Sequence, residues 1–309
     1  MMRVGLIDLD ATVTQQLPLA ALVEAGQAVR IDAADLAPKL RLVTDQAAWQ
    51  ELQRRIDLAM GRQTRRGAEV FFYGSGDFHH LTAGLIARHP MPLTVIHLDQ
   101  HPDWVTFPRS INCGSWVNRA LELQQVERVI TLGPSGDDLD WPEVKSANLR
   151  AVADGRLVVW PWQHKPSWVL GHYGDNDSWV QKGRCLHWYV LGDGDLRDHL
   201  LRLSPLIRTQ AVYITIDKDA LVPKEAVTNW DQGHMTLQHV HAILNYLVEY
   251  HQVIGIDVCG DYSPPVFADL WRRGLSFFDR DTPRPPDRHH NLNAQTNAAL
   301  LDMFRSIGA

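Results

Sequence analysis

Short apolar runs, each closing on Gly, Asp or Pro, punctuate the whole chain: "RVGLIDL", "EVFFYGSG", "TVIHLDQH", "RVITLG", "RLVVWPW", "LHWYVLGDG", "AVYITIDKD" and "QVIGIDVCG". Rich in Val, Ile and aromatics, they read as strands buried on both faces. Helical patterns lie between several of them. In "TDQAAWQELQRRIDLAMG", Trp49, Leu52, Ile56 and Met60 fall on one stripe, with Thr44 or Asp45 as cap and Gly61 as stop. "MTLQHVHAILNYLVEY" repeats the pattern through Leu237, Val240, Leu244 and Leu247 behind Thr236. "LTAGLIARH", "SWVNRALELQQV" and "AQTNAALLDMFRSI" are shorter helical candidates. Strands alternating with helices predict an α/β protein, a mostly parallel sheet covered on both faces. The 309 residues suit one large domain spanning 1–309. The Trp-rich stretch from about 160 to 183 reads as a long ordered loop, and "DRDTPRPPDRHHN" as an exposed connector.

In such sheets ligands bind beyond the carboxyl ends of the strands. Acids and imidazoles collect at those ends: Asp77, His79 and His80 after one strand, Asp99, His101 and Asp103 after the next, Asp217 and Asp219 after a third, Asp257 and Asp261 after the last. Residues two apart on a strand point the same way. So many carboxylates in one pocket repel and lose solvation unless cations hold them. Carboxylates mixed with imidazole suit Mn²⁺ above all, with Fe, Ni or Zn as alternatives. Two bridged ions can activate water against an electrophilic carbon.

The order "GSGDFHH", "DQHPD", "TIDKDALVP" resembles the arginase–agmatinase–formiminoglutamase (ureohydrolase) superfamily. The resemblance implies a three-layer α/β/α fold with about eight strands and a binuclear manganese centre with two Mn²⁺ per chain. It implies His79, Asp99, His101, Asp103, Asp217 and Asp219 as metal ligands, with Asp103 also orienting the attacking hydroxide. "DQGHMT" is similar to the family's Gly-Gly-Leu-Thr segment, with His234 where glycine is usual, and "VITLGP" to the strand before the middle of the fold. There are departures. In "INCGSW", Cys113 stands where hydrolytic members carry a proton-transferring histidine, and Val222-Pro223 replaces the family's Asp-Pro. The late glutamate that meets the guanidinium is matched by the shorter Asp261. "WVTFP" after Asp103 is too apolar to hold the α-amino and carboxylate groups of free arginine.

The resulting expectation is hydrolysis of a guanidino or amidino C–N bond, with release of urea or an analogue. The substrate is a small molecule or a peptide bearing a guanidino group. His234, Cys113 or a water would move the proton, and Asp261 and His80 would contact substrate. A deacetylase-like amide hydrolase and a non-catalytic metal-binding protein are the alternatives. Asp77 reads as a turn group, Asp257 as support for the site and His97 as a satisfied core histidine. Asp195 reads as a helix cap, and Cys185 and Cys259 as core. A formal charge of −6 argues against nucleic-acid or anionic-membrane binding. Three scattered cysteines, with neither a secretory signal nor a long apolar stretch, suggest a reduced cytoplasmic chain. Family members are commonly oligomers, so a homo-oligomer is expected here.

Overall fold

The computed structural model describes residues 2–61, 67–107, 110–269 and 289–308. The strands are β1 (Arg3–Asp8), β2 (Ala28–Asp32), β3 (Glu69–Tyr73), β4 (Leu93–Leu98), β5 (Val126–Leu132), β6 (Leu157–Trp160), β7 (Ser167–Trp168), β8 (Trp179–Lys182), β9 (Cys185–Trp188), β10 (Ala211–Asp217) and β11 (Gln252–Cys259). Eight of them make one sheet in the order β2-β1-β3-β11-β10-β4-β5-β6. Every neighbouring pair in it is parallel. The architecture is the α/β sheet expected from the apolar runs.

Alternation along each strand feeds two separate cores. Phe71, Tyr73, Val95, Val129 and Tyr213 pack on one face. Val70, Phe72, Ile96, Leu98, Ile130 and Ile214 pack on the other. Helices seal both. Gln46–Met60 starts at Asp45, whose carboxylate accepts the Ala48 N–H, and stops at Gly61 with φ +67°. It buries Ala48, Leu52, Ile56 and Met60, one per turn, on the first core. Leu237–Tyr250 starts at Thr236 with a reciprocal cap from His239 and buries Val240, Ile243, Leu244 and Leu247 on the second. Each of these larger side chains contributes about 1.5–3 kcal/mol on burial. The helix His289–Ser306 adds Leu300, Leu301 and Phe304 to the second core. Asp195 caps the helix Leu196–Leu203, as its spacing suggests.

Two strand assignments differ from the sequence reading. "LHWYVLGDG" is not a strand of the parallel sheet. Its first half, within β9, pairs antiparallel with β7 and β8 in a small three-stranded sheet. The Trp-rich stretch is therefore short strands as well as loop. Trp179, Leu186 and Trp188 turn inward against the first core while the residues between them face outward. The missing member of the large sheet is β2. As an edge strand it leaves Val29, Arg30 and Asp32 exposed, so it carries no apolar run to detect. The connector "DRDTPRPPDRHHN" lies, for residues 279–288, outside the described residues. Among the described residues, no helix is long and apolar enough to cross a membrane.

β3 and β4 are consecutive among the central strands but stand apart in the sheet, with β11 and β10 between them. β10 and β4 are neighbours, and the chain leaves β10 toward β11 but β4 toward β5 on the other side, a divergence that opens a crevice beyond the carboxyl ends of the central strands.

Candidate metal centre

That crevice is a cavity of about 920 Å³. His79, Asp99, His101, Asp103, Asp217 and Asp219 all line it. Asp99 sits at the middle of the group. Its Oδ2 lies 3.0 Å from His79 Nδ1. Its Oδ1 lies 3.5 Å from His101 Nδ1 and accepts the His101 backbone N–H at 2.7 Å. His79 Nδ1 is also 3.2 Å from Asp103 Oδ2 and 3.5 Å from Asp217 Oδ2. His101 Nδ1 is 3.0 Å from Asp219 Oδ2.

Local sequence explains why these groups converge. Asp217 caps the tight turn that follows β10, accepting the Asp219 N–H at 3.0 Å, so both acids face the crevice. Gly76 lets the turn after β3 approach, since a Cβ there would sit 2.6 Å from Asp217 Oδ2. Gly260, at φ +93°, does the same after β11, where a Cβ would stand 2.6 Å from the Lys218 nitrogen. Asp103 adopts φ +47°, uncommon for a non-glycine residue. The Trp116 indole N–H, donating to Asp103 Oδ2 at 2.6 Å, holds it there.

The imidazoles are held from behind. His79 Nε2 meets Thr215 Oγ1 at 2.9 Å, and Thr215 donates to Asp257 Oδ1 at 2.7 Å. Tyr73, Thr82 and Tyr213 donate to the same buried carboxylate. Asp257 thus supports the site, and the chain Asp257–Thr215–His79 keeps Nδ1 turned toward the acids. His101 Nε2 lies 2.8 Å from Asp231 Oδ1. Neither Asp231, which sits on the cavity rim, nor the Trp116 contact was anticipated; no spacing in the sequence ties either to the strand ends.

Electrostatics shows what the cluster lacks. Burial first, then Asp99, pushes the Asp103 carboxyl up to about 6. Burial, then Asp217 and Asp99, pushes Asp219 well above its ordinary value. Burial and Asp99 raise Asp217. Against burial, His97, His101 and His79 hold Asp99 well below the ordinary value. Burial opposes protonation of His79, but bonds to Asp103 and Asp99 outweigh it and raise its pKa well above 6.5. Asp219 and Asp231 do the same for His101. Protons on His79, His101 and Asp219 thus stand where cations would, around an ionised Asp99. Carboxylates and imidazoles with converging lone pairs, short of positive charge, fit divalent ions. One ligand atom each from His79, His97, Asp99 and Asp103 lies within 4.8 Å of the others, and the same is true of Asp99, His101 and Asp219. These two groupings share Asp99, and a third, of His79, Asp217 and Cys259, shares His79 with the first.

These shifts set a pH dependence. Without metal, folded His79 and His101 keep protons that the unfolded chain releases above about 6.5. Their contribution is fully present below that pH and is lost as pH rises through the higher folded values. Asp219 has the same sign. His89, lowered by burial to about 4, stays neutral throughout that range. Metal-free protein is expected to melt at a lower temperature at pH 8.5 than at pH 6.5. Added Mn²⁺ should raise the melting temperature more at pH 8.5, because metal displaces these protons. Calorimetry checks both, and a melting temperature that climbs with pH in metal-free protein contradicts the assignment.

Not every expected site residue reaches the cavity. Cys113 lines it. Asp261 does not: it is buried, with Oδ1 on Lys218 Nζ at 2.5 Å and Oδ2 accepting from Asn297 at 3.3 Å. The turn at Gly260 points it into the fold, so a contact with a cationic substrate does not fit its placement. His80, one residue past His79 on the same tight turn, points away and stacks on Trp49 in the interior. His234 is exposed, 3.1 Å from Gln163, and is not on the cavity wall. Asp77 pairs with the buried Arg41 at 2.6 Å and accepts the Trp230 indole N–H. Cys259 is buried, its thiol 3.2 Å from Asp217 Oδ2.

No protein-family model matches the chain. A stretch of 203 residues, 66% of the chain, is 22% identical to an uncharacterized protein of Thermotoga maritima, and the match spans 61% of that protein's length. Arginase from Bacillus cereus superposes with a TM-score of 0.59 at 15% identity, over 98% of this chain and 97% of that one. Agmatine ureohydrolase of Thermoplasma volcanium gives 0.56 at 13% identity, over 99% and 89%. A hypothetical agmatinase from Burkholderia thailandensis gives 0.51 at 17%, over 99% and 86%. The chain has the fold of these structures.

Proposed function

We propose that this chain is a divergent relative of the arginases and agmatinases, a binuclear metal-dependent hydrolase that cleaves a C–N bond of a guanidino or amidino group. The observation that carries the reading is the gathering of His79, Asp99, His101, Asp103, Asp217 and Asp219 on one cavity wall, with Asp99 shared by two of the ligand groupings. These residues would hold two divalent ions, Mn²⁺ among them. When bound, such ions neutralise the carboxylates and activate water for attack on an electrophilic carbon.

The chain's own groups do the rest. Asp103, fixed by the Trp116 N–H, orients the attacking water. Asp138 and Asp231 line the cavity and provide negative potential for a cationic substrate, in place of the buried Asp261. Cys113 lines the cavity, and in this reading its thiol passes a proton to the leaving amine. Free arginine is disfavoured as substrate, since among the described residues Lys145 is the only amine on the wall and it is paired with Asp137 at 2.8 Å. A guanidino group on another scaffold, including arginine within a peptide, suits the cavity better. None of the three cysteines forms a disulfide, in keeping with a cytoplasmic setting. A homo-oligomer belongs to the same reading.

The sequestered Asp261 favours one second reading, an amide hydrolase of the deacetylase type acting on a neutral group. Metal content by elemental analysis, beside a His101→Asn/Asp219→Ala control, tests the centre. Near two ions per chain, lost in the control, with urea released in a screen of guanidino compounds and Arg-containing peptides, supports the proposal. Acetate or ammonia as product favours the second reading. No bound metal after Mn²⁺ incubation sinks both.

A further inference from the structure

β4 carries His97 on the same face as Asp99, two residues earlier. Its ring is fully buried, between His79 at 5.1 Å and Trp116 at 4.9 Å, centroid to centroid. Nε2 lies 2.8 Å from Asp99 Oδ2, the same oxygen that His79 Nδ1 meets at 3.0 Å. The two imidazoles thus stand on either side of one carboxylate oxygen, and a cation reached by His79 and Asp99 is in reach of His97. On the far side of the ring, Nδ1 lies 3.0 Å from Thr131 Oγ1, its register partner on β5. Without metal, Nε2–H donates to the ionised Asp99; with Nδ1–H given to the Thr131 hydroxyl, a metal that displaces the Nε2 proton meets a lone pair aimed into the cluster.

We propose that His97 is itself a metal ligand, completing with His79, Asp99 and Asp103 a subsite of two imidazoles and two carboxylates. The inference rests on the cavity being a metal centre. The neighbouring subsite, of Asp99, His101 and Asp219, has one imidazole and is richer in oxygen. A second imidazole shifts preference from Mn²⁺ toward Fe²⁺, Co²⁺ or Zn²⁺. The two subsites therefore differ in the ion they favour.

The test is titration of metal-free protein with Co²⁺, followed by visible absorption and counted by elemental analysis. Parent protein should bind two ions per chain. His97→Gln should weaken one of them about 100-fold or more and change its absorption band, with the other unaffected. Thr131→Val, which removes only the group behind the ring, should weaken the same ion roughly 10–100-fold. Circular dichroism shows whether each variant is folded; where His97→Gln is not, Thr131→Val decides. Both ions bound by the variants with parent affinity and spectrum would overturn the proposal while leaving the metal centre standing. A parent that binds no Co²⁺ overturns both.

Discussion

Replacing Asp99 with asparagine is expected to strip metal from the cavity and lower turnover about a thousandfold. Asp99 is the one carboxylate common to two of the ligand groupings, with Oδ2 toward His79 and Oδ1 toward His101. Asparagine keeps its size and removes its charge, so the remaining groups hold two dications with one anion fewer. A bound metal supplies several kcal/mol of transition-state stabilisation, and about 4 kcal/mol corresponds to roughly a thousandfold in rate. The measurement pairs metal per chain with kcat on whichever guanidino compound the screen identifies. A variant that keeps two ions and parent turnover would show that Asp99 is not the shared ligand.

The second large effect concerns stability. Lys218 is completely buried, and its ammonium meets Asp261 at 2.5 Å and Asn297 at 3.0 Å. Lys218→Met removes the cation and leaves a buried carboxylate with one amide donor. Such a loss costs about 3–5 kcal/mol. At roughly 2–4 °C per kcal/mol for a chain of this class, the melting temperature should fall by about 10 °C. Adding Asp261→Leu should recover most of it, because the cost lies in the unpaired charge and not in the missing pair. A single variant that melts with the parent would mean that Asp261 finds water or a proton instead.

Residues that declare themselves locally were legible in the sequence. Asp45 and Thr236 announce helices because a short polar side chain ahead of an amphipathic stripe has one economical use, and both cap the helices expected of them. Asp99, Asp217 and Asp219 were legible as residues at strand ends, since a buried parallel strand has to deliver its last side chains somewhere. Direction after the strand was not legible. His80 and Asp261 each follow a turn whose backbone angles send the side chain into the interior, and neighbouring letters do not encode that. β2 was missed because an edge strand needs apolar residues on little of its surface. β9 was misplaced because an apolar run does not say whether its partners run parallel or antiparallel. His97 read correctly as a buried, hydrogen-bonded histidine; which oxygen it bonds is a tertiary fact.

The crevice has a kinetic consequence as well. Its ligands come from segments after β3, β4 and β10, separated by long stretches of chain and joined only when β11 and β10 insert between β3 and β4. Contacts of such sequence separation form late. An ion that needs all of them finds no site on the way to the folded state. It should leave the refolding rate nearly unchanged and slow the escape from the native state, as interactions absent from the transition state do. Metal would then act as a latch on a finished structure: manganese should lengthen the unfolding half-life in denaturant and leave the refolding arm where it was.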